Sequence, residues 1–202
     1  MIDDKQIALA ITGASGAPYS QRLLQVLLAQ GMTVHLMISA AGRIVLADEL
    51  DWKLPARASD VHKQLVAEFD CEPDQLRVYG EQQWSSPLAS GSHRVGTMIV
   101  CPCTMGSLSS IAIGSSDNLI NRAADVMLKE SRKLILVPRE APFSVIHLEN
   151  MLKLAKMGVC IFPPSPGFYF KPTELTDIVD FVVARTLDQA GVEHQLLPRW
   201  GE

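Results

Sequence analysis

The sequence predicts a single α/β domain, a mostly parallel sheet with helices on both faces, on three observations. Short apolar, β-branched runs recur along the chain. Stretches with apolar residues at helical spacing separate them almost throughout. Most of the runs look buried on both faces, as strands are when helices cover a sheet from both sides.

In chain order, IALAIT (7–12) is the first strand, and the small-residue turn TGASG hands it to a helix over 16–30. TVHLMI (33–38) is the second, closed by Ser39 and followed by a helix over 40–49. A helix over 59–69 leads to LRVYG (76–80), the weakest strand candidate. Residues 80–96 (GEQQWSSPLASGSHRVG) follow no period and are too ordered in composition for a linker, so they read as an active-site loop. TMIVC (97–101) comes next, with Cys101-Pro102-Cys103 where a buried strand should end. Helices over 106–113 and 119–131 precede the fifth strand, KLILV (133–137), and a helix over 144–157 precedes GVCIF (158–162). The last helix, 173–190, places Leu175, Ile178, Val179, Val182 and Val183 at helical spacing. No internal repeat, charge block or low-complexity tract breaks this order, so residues 1–202 read as one domain.

Composition narrows the function classes. A chain of 202 residues can bury a full core without disulfides or a structural metal. Lys+Arg at 18 against Asp+Glu at 22, a net charge of -4, gives no basic footprint for nucleic acid or an anionic membrane. Hydrophobic content of 48% is high, yet no apolar run approaches the ~20 residues that span a bilayer, so subunit interfaces are expected to absorb the excess. The acidic start MIDDKQIALA enters a strand directly, unlike a signal peptide, and a cytoplasmic location is expected. Cys71, Cys101, Cys103 and Cys160 lack CxxC spacing, and five histidines are scattered singly, so no metal is expected.

In a parallel sheet, ligands bind beyond the carboxyl ends of strands, near a change in strand order. Three such ends carry small or hydroxylic residues at a helix start: TGASG, Ile38-Ser39-Ala40-Ala41, and Pro102-Cys103-Thr104-Met105-Gly106-Ser107-Leu108. The glycines are spaced GxxG and the second strand closes on Ser39, where a dinucleotide site has GxGxxG and an acid, which disfavours NAD. Hydroxyls and free N–H groups at helix starts suit the polyol and single phosphate of FMN, and the same residues serve equally as N-caps. TGASG alone supports two readings, an anion site or a turn that lets helix and strand pack closely. Arg139-Glu140 follows the fifth strand; Arg122 and Lys129 share a helix face with Asp125 between them; Tyr169 and Lys171 sit in the Pro-rich loop 163–172. Each has an ordinary explanation as a surface ion pair or aromatic packing. Together with Arg185 they place five of 18 basic residues near expected rims, which makes a second anionic group plausible.

The segments TGASGAPY, CPCTMGSLSSIAIG, NLINRAADVMLKE, LVPREAPFSVIHLENMLKL, PGFYFKP and LPRWGE resemble the flavin prenyltransferases, the UbiX-like family, across essentially the whole chain. The resemblance implies a flavodoxin-like, Rossmann-like subunit assembled as a dodecamer with FMN at subunit contacts. It implies alkylation of reduced FMN by dimethylallyl phosphate at N5 and then C6, without metal. The prenylated FMN would serve a UbiD-like decarboxylase, as in ubiquinone biosynthesis or aromatic-acid degradation. By matched motif, Gly13, Ala14, Ser15, Ser39, Thr104, Met105, Gly106, Ser107 and Arg139 would contact FMN. Ser90, Arg122, Lys129, Arg139, Glu140, Tyr169 and Arg185 would surround dimethylallyl phosphate. Ser15 and Glu49 would act near N5, Lys129, Glu140 and Tyr169 in catalysis, and Trp200, on a tail from about 191 packing near the site, over the prenyl group. Two rivals are a non-catalytic FMN-binding regulatory subunit and an FMN-dependent cysteine decarboxylase relative. The second lacks its PxMNxxMW segment here, and the intact cations argue against the first.

Overall fold

In a computed structural model, described over residues 2–197, the apolar runs pair as one six-stranded sheet in which every pairing is parallel. β1 (Asp3–Ile11) and β4 (Val95–Cys103) lie at its centre. β2 (Thr33–Ile38) and β3 (Leu76–Tyr79) extend it on one side, β5 (Lys133–Pro138) and β6 (Cys160–Ile161) on the other. The order β3-β2-β1-β4-β5-β6 reverses between β1 and β4, which puts the expected ligand crevice beyond Ile11 and Cys103.

Alternation along the strands feeds two cores. Ile7, Leu9 and Ile11 face a cluster shared with α1 (Ala17–Ala29), α2 (Ala40–Leu50), α3 (Ala58–Phe69) and α7 (Leu175–Ala190). Ala8 and Ala10 face a second cluster built with α4 (Met105–Ile113), α5 (Leu119–Lys129) and α6 (Val145–Lys156). Side-chain caps fix several helix starts: Ser39 accepts from Gly42 N at 3.0 Å, Thr104 from Ser107 N at 3.0 Å, and Asn118 from Asn121 N at 2.9 Å.

The sheet differs from the sequence reading in two places. β4 runs on through Pro102 to Cys103, and of GVCIF only Cys160 and Ile161 pair, as a short edge strand. The segment after β3 is a packed crossover from the carboxyl edge to the amino edge, over the α5 face. Leu88 is buried in the core, Arg122 Nε donates to Ala89 O at 3.1 Å, and Arg132 donates to Gly91 O at 2.5 Å and to Val95 O at 3.1 Å.

Beneath this crossover His35 is fully buried, with Nδ1 at 2.9 Å from the Tyr79 hydroxyl, Nε2 at 2.9 Å from Gln6 Oε1, and the His93 ring packed edge-on. Burial first, then the charges of His93 and Arg77, lower its pKa from 6.5 to about 4, so the folded protein holds a neutral imidazole. The unfolded chain binds the proton more readily, so this contribution is complete above pH 6.5 and is lost as pH falls toward about 4. The expected loss approaches about 3 kcal/mol. Urea denaturation at stepped pH should show it, with a flatter profile for His35→Gln; an equal slope in the variant would contradict the assignment.

Candidate active site

Pro102 has no N–H to give the ladder, and the β4–β5 register shifts between Val100 and Cys103. Two buried hydroxyls bond to carbonyls of this irregular stretch. Ser20 Oγ on α1 donates to Cys101 O at 3.0 Å, and Thr12 Oγ1 donates to Pro102 O at 2.8 Å while accepting from Thr104 N at 2.9 Å. Thr12 thereby joins the end of β1 to the start of α4 across the switch point.

The TGASG turn is filled by the chain itself. A Cβ on Gly13 would collide with that of Ala41, so glycine here lets α2 approach; Gly16 has φ 129, a conformation side chains rarely allow. The N–H groups of Gly16 and Ala17 donate to Glu49 Oε2 at 2.9 and 2.8 Å, so the anion at the start of α1 is the chain's own carboxylate. Desolvation acts to raise the Glu49 pKa. The Ser15 hydroxyl, the two N–H groups and the Arg139 charge outweigh it and hold Glu49 below its usual range. Arg139 Nε donates to Ser15 O at 3.1 Å, tying the end of β5 to this turn.

The start of α4 is open. Gly106 is exposed, and the nearest atom a Cβ there would meet is Thr104 Oγ1 at 3.8 Å. Thr104 and Ser107 bring two hydroxyls to the same turn, 2.9 Å apart, while the Met105 side chain is buried in the core. Glu140 follows Arg139 at the rim, and its Oε1 accepts from Ala141 N at 3.1 Å. One chain thus gathers Gly13, Ala14, Ser15, Ser39, Glu49, Thr104, Gly106, Ser107, Arg139 and Glu140 at its carboxyl rim.

The remaining expected residues lie elsewhere in the chain. Helices between parallel strands run back toward the amino edge, so a residue late in such a helix sits far from the rim. Arg122 is in the first turn of α5; Lys129 closes that helix, about 10 Å further along it, beside the turn into β5. Ser90 is carried toward the amino edge by the crossover. Arg185 lies late in α7, whose last carbonyl, Ala190 O, receives Lys133 Nζ from the first residue of β5. Tyr169 is exposed beyond β6, edge-on to Phe170 and Phe181. Lys171 is in the same loop. Residues 191–197 follow α7 at the amino edge, with His194 Nε2 at 3.2 Å from Asp188, and Trp200 falls outside the described residues. The expectation that all these cations share the strand-end rim of one chain therefore does not hold for Lys129 and Arg185. Sequence reasoning missed Thr12 and Ser20; the signal was a hydroxyl on an otherwise apolar strand end and helix face.

A sequence profile of the Flavoprotein family matches residues 1–187. The flavin prenyltransferase UbiX of Pseudomonas aeruginosa is 50% identical over 202 residues, covering 100% of this chain and 97% of that protein. The chain belongs to the UbiX-like flavin prenyltransferases. A UbiX protein solved in complex with FMN and dimethylallyl pyrophosphate is 37% identical, with a TM-score of 0.86 over 98% of this chain and 97% of that one. A dodecameric FMN-dependent UbiX-like decarboxylase from Escherichia coli is 42% identical, with a TM-score of 0.83 over 98% of this chain and 100% of that one. Among the described residues, no group of three or more His, Cys, Asp or Glu side chains is placed to hold a metal.

Thr12→Val keeps the shape of the side chain and removes both hydrogen bonds. It should lower stability by about 1–3 kcal/mol and weaken FMN binding, while Thr12→Ser keeps both. Denaturation and flavin-fluorescence titration check this; Thr12→Val with wild-type stability and affinity would count against it.

Proposed function

We propose that this chain is a flavin prenyltransferase that transfers a dimethylallyl group from dimethylallyl phosphate to reduced FMN. The observation that carries this reading is the whole-length family match laid over a rim with an open helix start, clustered hydroxyls and one arginine. That rim fits FMN: the first turn of α4 offers exposed backbone to a phosphate, and Ser39, Thr104 and Ser107 offer hydroxyls to a polyol. Bound in its reduced form, FMN supplies the two nucleophilic atoms, N5 and C6, that take the dimethylallyl group.

The chain's own residues act on the leaving group and the proton. As the allylic C–O bond breaks, positive charge grows on carbon and negative charge on phosphate. Arg122, Lys129, Arg139 and Arg185 stabilise the departing phosphate, with Ser90 as a further hydrogen-bond partner. Glu140 delivers a proton to it, and Ser15 with Glu49 moves a proton near N5. The Tyr169 ring, and Trp200 from the tail, shield the allyl fragment and stabilise its charge by cation–π attraction.

Among the described residues of one chain, Lys129 and Arg185 lie away from the carboxyl rim, so we assign each site to several copies: the carboxyl rim of one and the helix ends and aromatic loop of neighbours. In support, α6 begins just after Glu140 and exposes Val145, Ile146, Leu148 and Leu152, an apolar surface for a neighbour to cover. A closed dodecamer with FMN at the contacts accounts for both features. The prenylated FMN is passed to a UbiD-like decarboxylase. Among the described residues no helix is long and apolar enough to cross a membrane, which is compatible with a cytoplasmic setting.

Anaerobic mixing of reduced protein with dimethylallyl phosphate, followed by mass spectrometry of the flavin, tests the reading. Wild type should yield prenylated FMN. Lys129→Ala, Arg185→Ala and Glu140→Gln should slow its formation about 10²- to 10³-fold with little change in FMN affinity, by analogy with lost oxyanion-hole donors. Unmodified FMN from wild type, or wild-type rates in all three variants, would refute the proposal and favour a flavin-binding subunit.

A further inference from the structure

Three of the cations assigned to the leaving phosphate already hold a carboxylate. Arg122 Nη1 is 2.7 Å from Asp125, Lys129 Nζ is 2.5 Å from Glu130, and Arg185 Nη1 is 2.6 Å from Asp188. Arg139, the fourth, donates instead to a neutral carbonyl, Ser15 O. All three pairs are local on their helices and partly exposed, where such pairs add about 1 kcal/mol or less to stability. Chain stability is therefore a weak reason for all three.

The Lys129–Glu130 pair is also seated. A Cβ on Gly91 would collide with the Glu130 carboxylate and come within 2.9 Å of Lys129 Nζ, so the glycine beside Ser90 makes room for the pair. Arg132, which holds the Gly91 carbonyl, also adds its charge near Glu130. Asp188 receives His194 as well as Arg185, so its carboxylate is fixed from two directions.

We propose that Asp125, Glu130 and Asp188 are resident counter-ions that hold these cations in place and limit the negative charge the donor pocket accepts. The inference rests on the phosphate site proposed above. A phosphate monoester carries about two negative charges near neutral pH and a diphosphate monoester about one more. With three carboxylates beside three cations, each added negative charge on the ligand meets repulsion as well as attraction. The pocket then selects the monophosphate donor over the diphosphate and releases inorganic phosphate after transfer. The three acids are positioning and specificity residues; none needs to touch the reacting atoms.

The test uses the full-length oligomer with FMN bound, and inorganic phosphate and pyrophosphate as probes in calorimetry. Asp125→Asn, Glu130→Gln and Asp188→Asn keep the shapes and remove one charge each. Each should tighten phosphate binding by about three- to tenfold and pyrophosphate binding by more. The ratio of kcat/KM for dimethylallyl phosphate over dimethylallyl diphosphate should fall correspondingly, and product inhibition by phosphate should strengthen. A merely structural role would loosen the cations and weaken both probes. Unchanged or weaker probe binding in all three variants, with Lys129→Ala still weakening phosphate, would overturn the counter-ion proposal and leave the site reading standing. If Lys129→Ala and Arg185→Ala both bound phosphate as wild type does, the phosphate site itself would fall, and this proposal with it.

Discussion

A proline in a central strand leaves the sheet with a gap in its hydrogen bonding, and the buried Thr12 hydroxyl closes it. By donating to Pro102 O and accepting from Thr104 N, Thr12 sets where β1 stops and where α4 starts. The open helix start at Gly106 and the packed turn at Gly13 both follow from that spacing. Ser20 secures the same segment from α1 through Cys101 O. An apolar residue at position 12 would leave Thr104 N without its partner, and Pro102 O with only the backbone N–H of residue 12, at the point where a flavin is expected to lie.

The second constraint is directional. Because all strands run one way, the chain has two chemically distinct edges. The carboxyl edge collects helix starts, hydroxyls, Arg139 and Glu140; the other end collects the ends of α5 and α7 with Lys129 and Arg185. A site that needs both sets must be completed by other copies of the chain, and the exposed apolar side of α6, adjoining Glu140, offers the contact. The high apolar content of the sequence and the division of its cations are then two aspects of one design.

Much of the fold was legible because both-face burial makes strands such as TVHLMI and KLILV mostly apolar, without a polar face on every second residue. Ser39 and Thr104 were legible as cap or ligand residues, and the structure shows the capping bond at each. The surroundings of TGASG were not: two readings were open, and only the fold brings Ala41 and the Glu49 carboxylate, both distant in sequence, against the turn. The position of Lys129 in the fold was hidden for a similar reason. Helical spacing puts it on one face with Arg122, but only topology says that one end of that face is at the ligand rim and the other is not. Thr12 was missed because its partners are some ninety residues away, which leaves a lone hydroxyl on an apolar strand end as its signal.

Mixing subunits tests the shared site most directly. Two variants inactive on their own, Glu140→Gln at the carboxyl rim and Arg185→Ala late in α7, are dissociated, combined in equal amounts and reassembled. If each site draws these residues from different copies, about a quarter of the sites in random hybrids recover both wild-type groups, and formation of prenylated FMN returns in that proportion. No recovery in oligomers shown by native mass spectrometry to be mixed would mean that Glu140 and Arg185 serve the same site from one chain, contradicting the account.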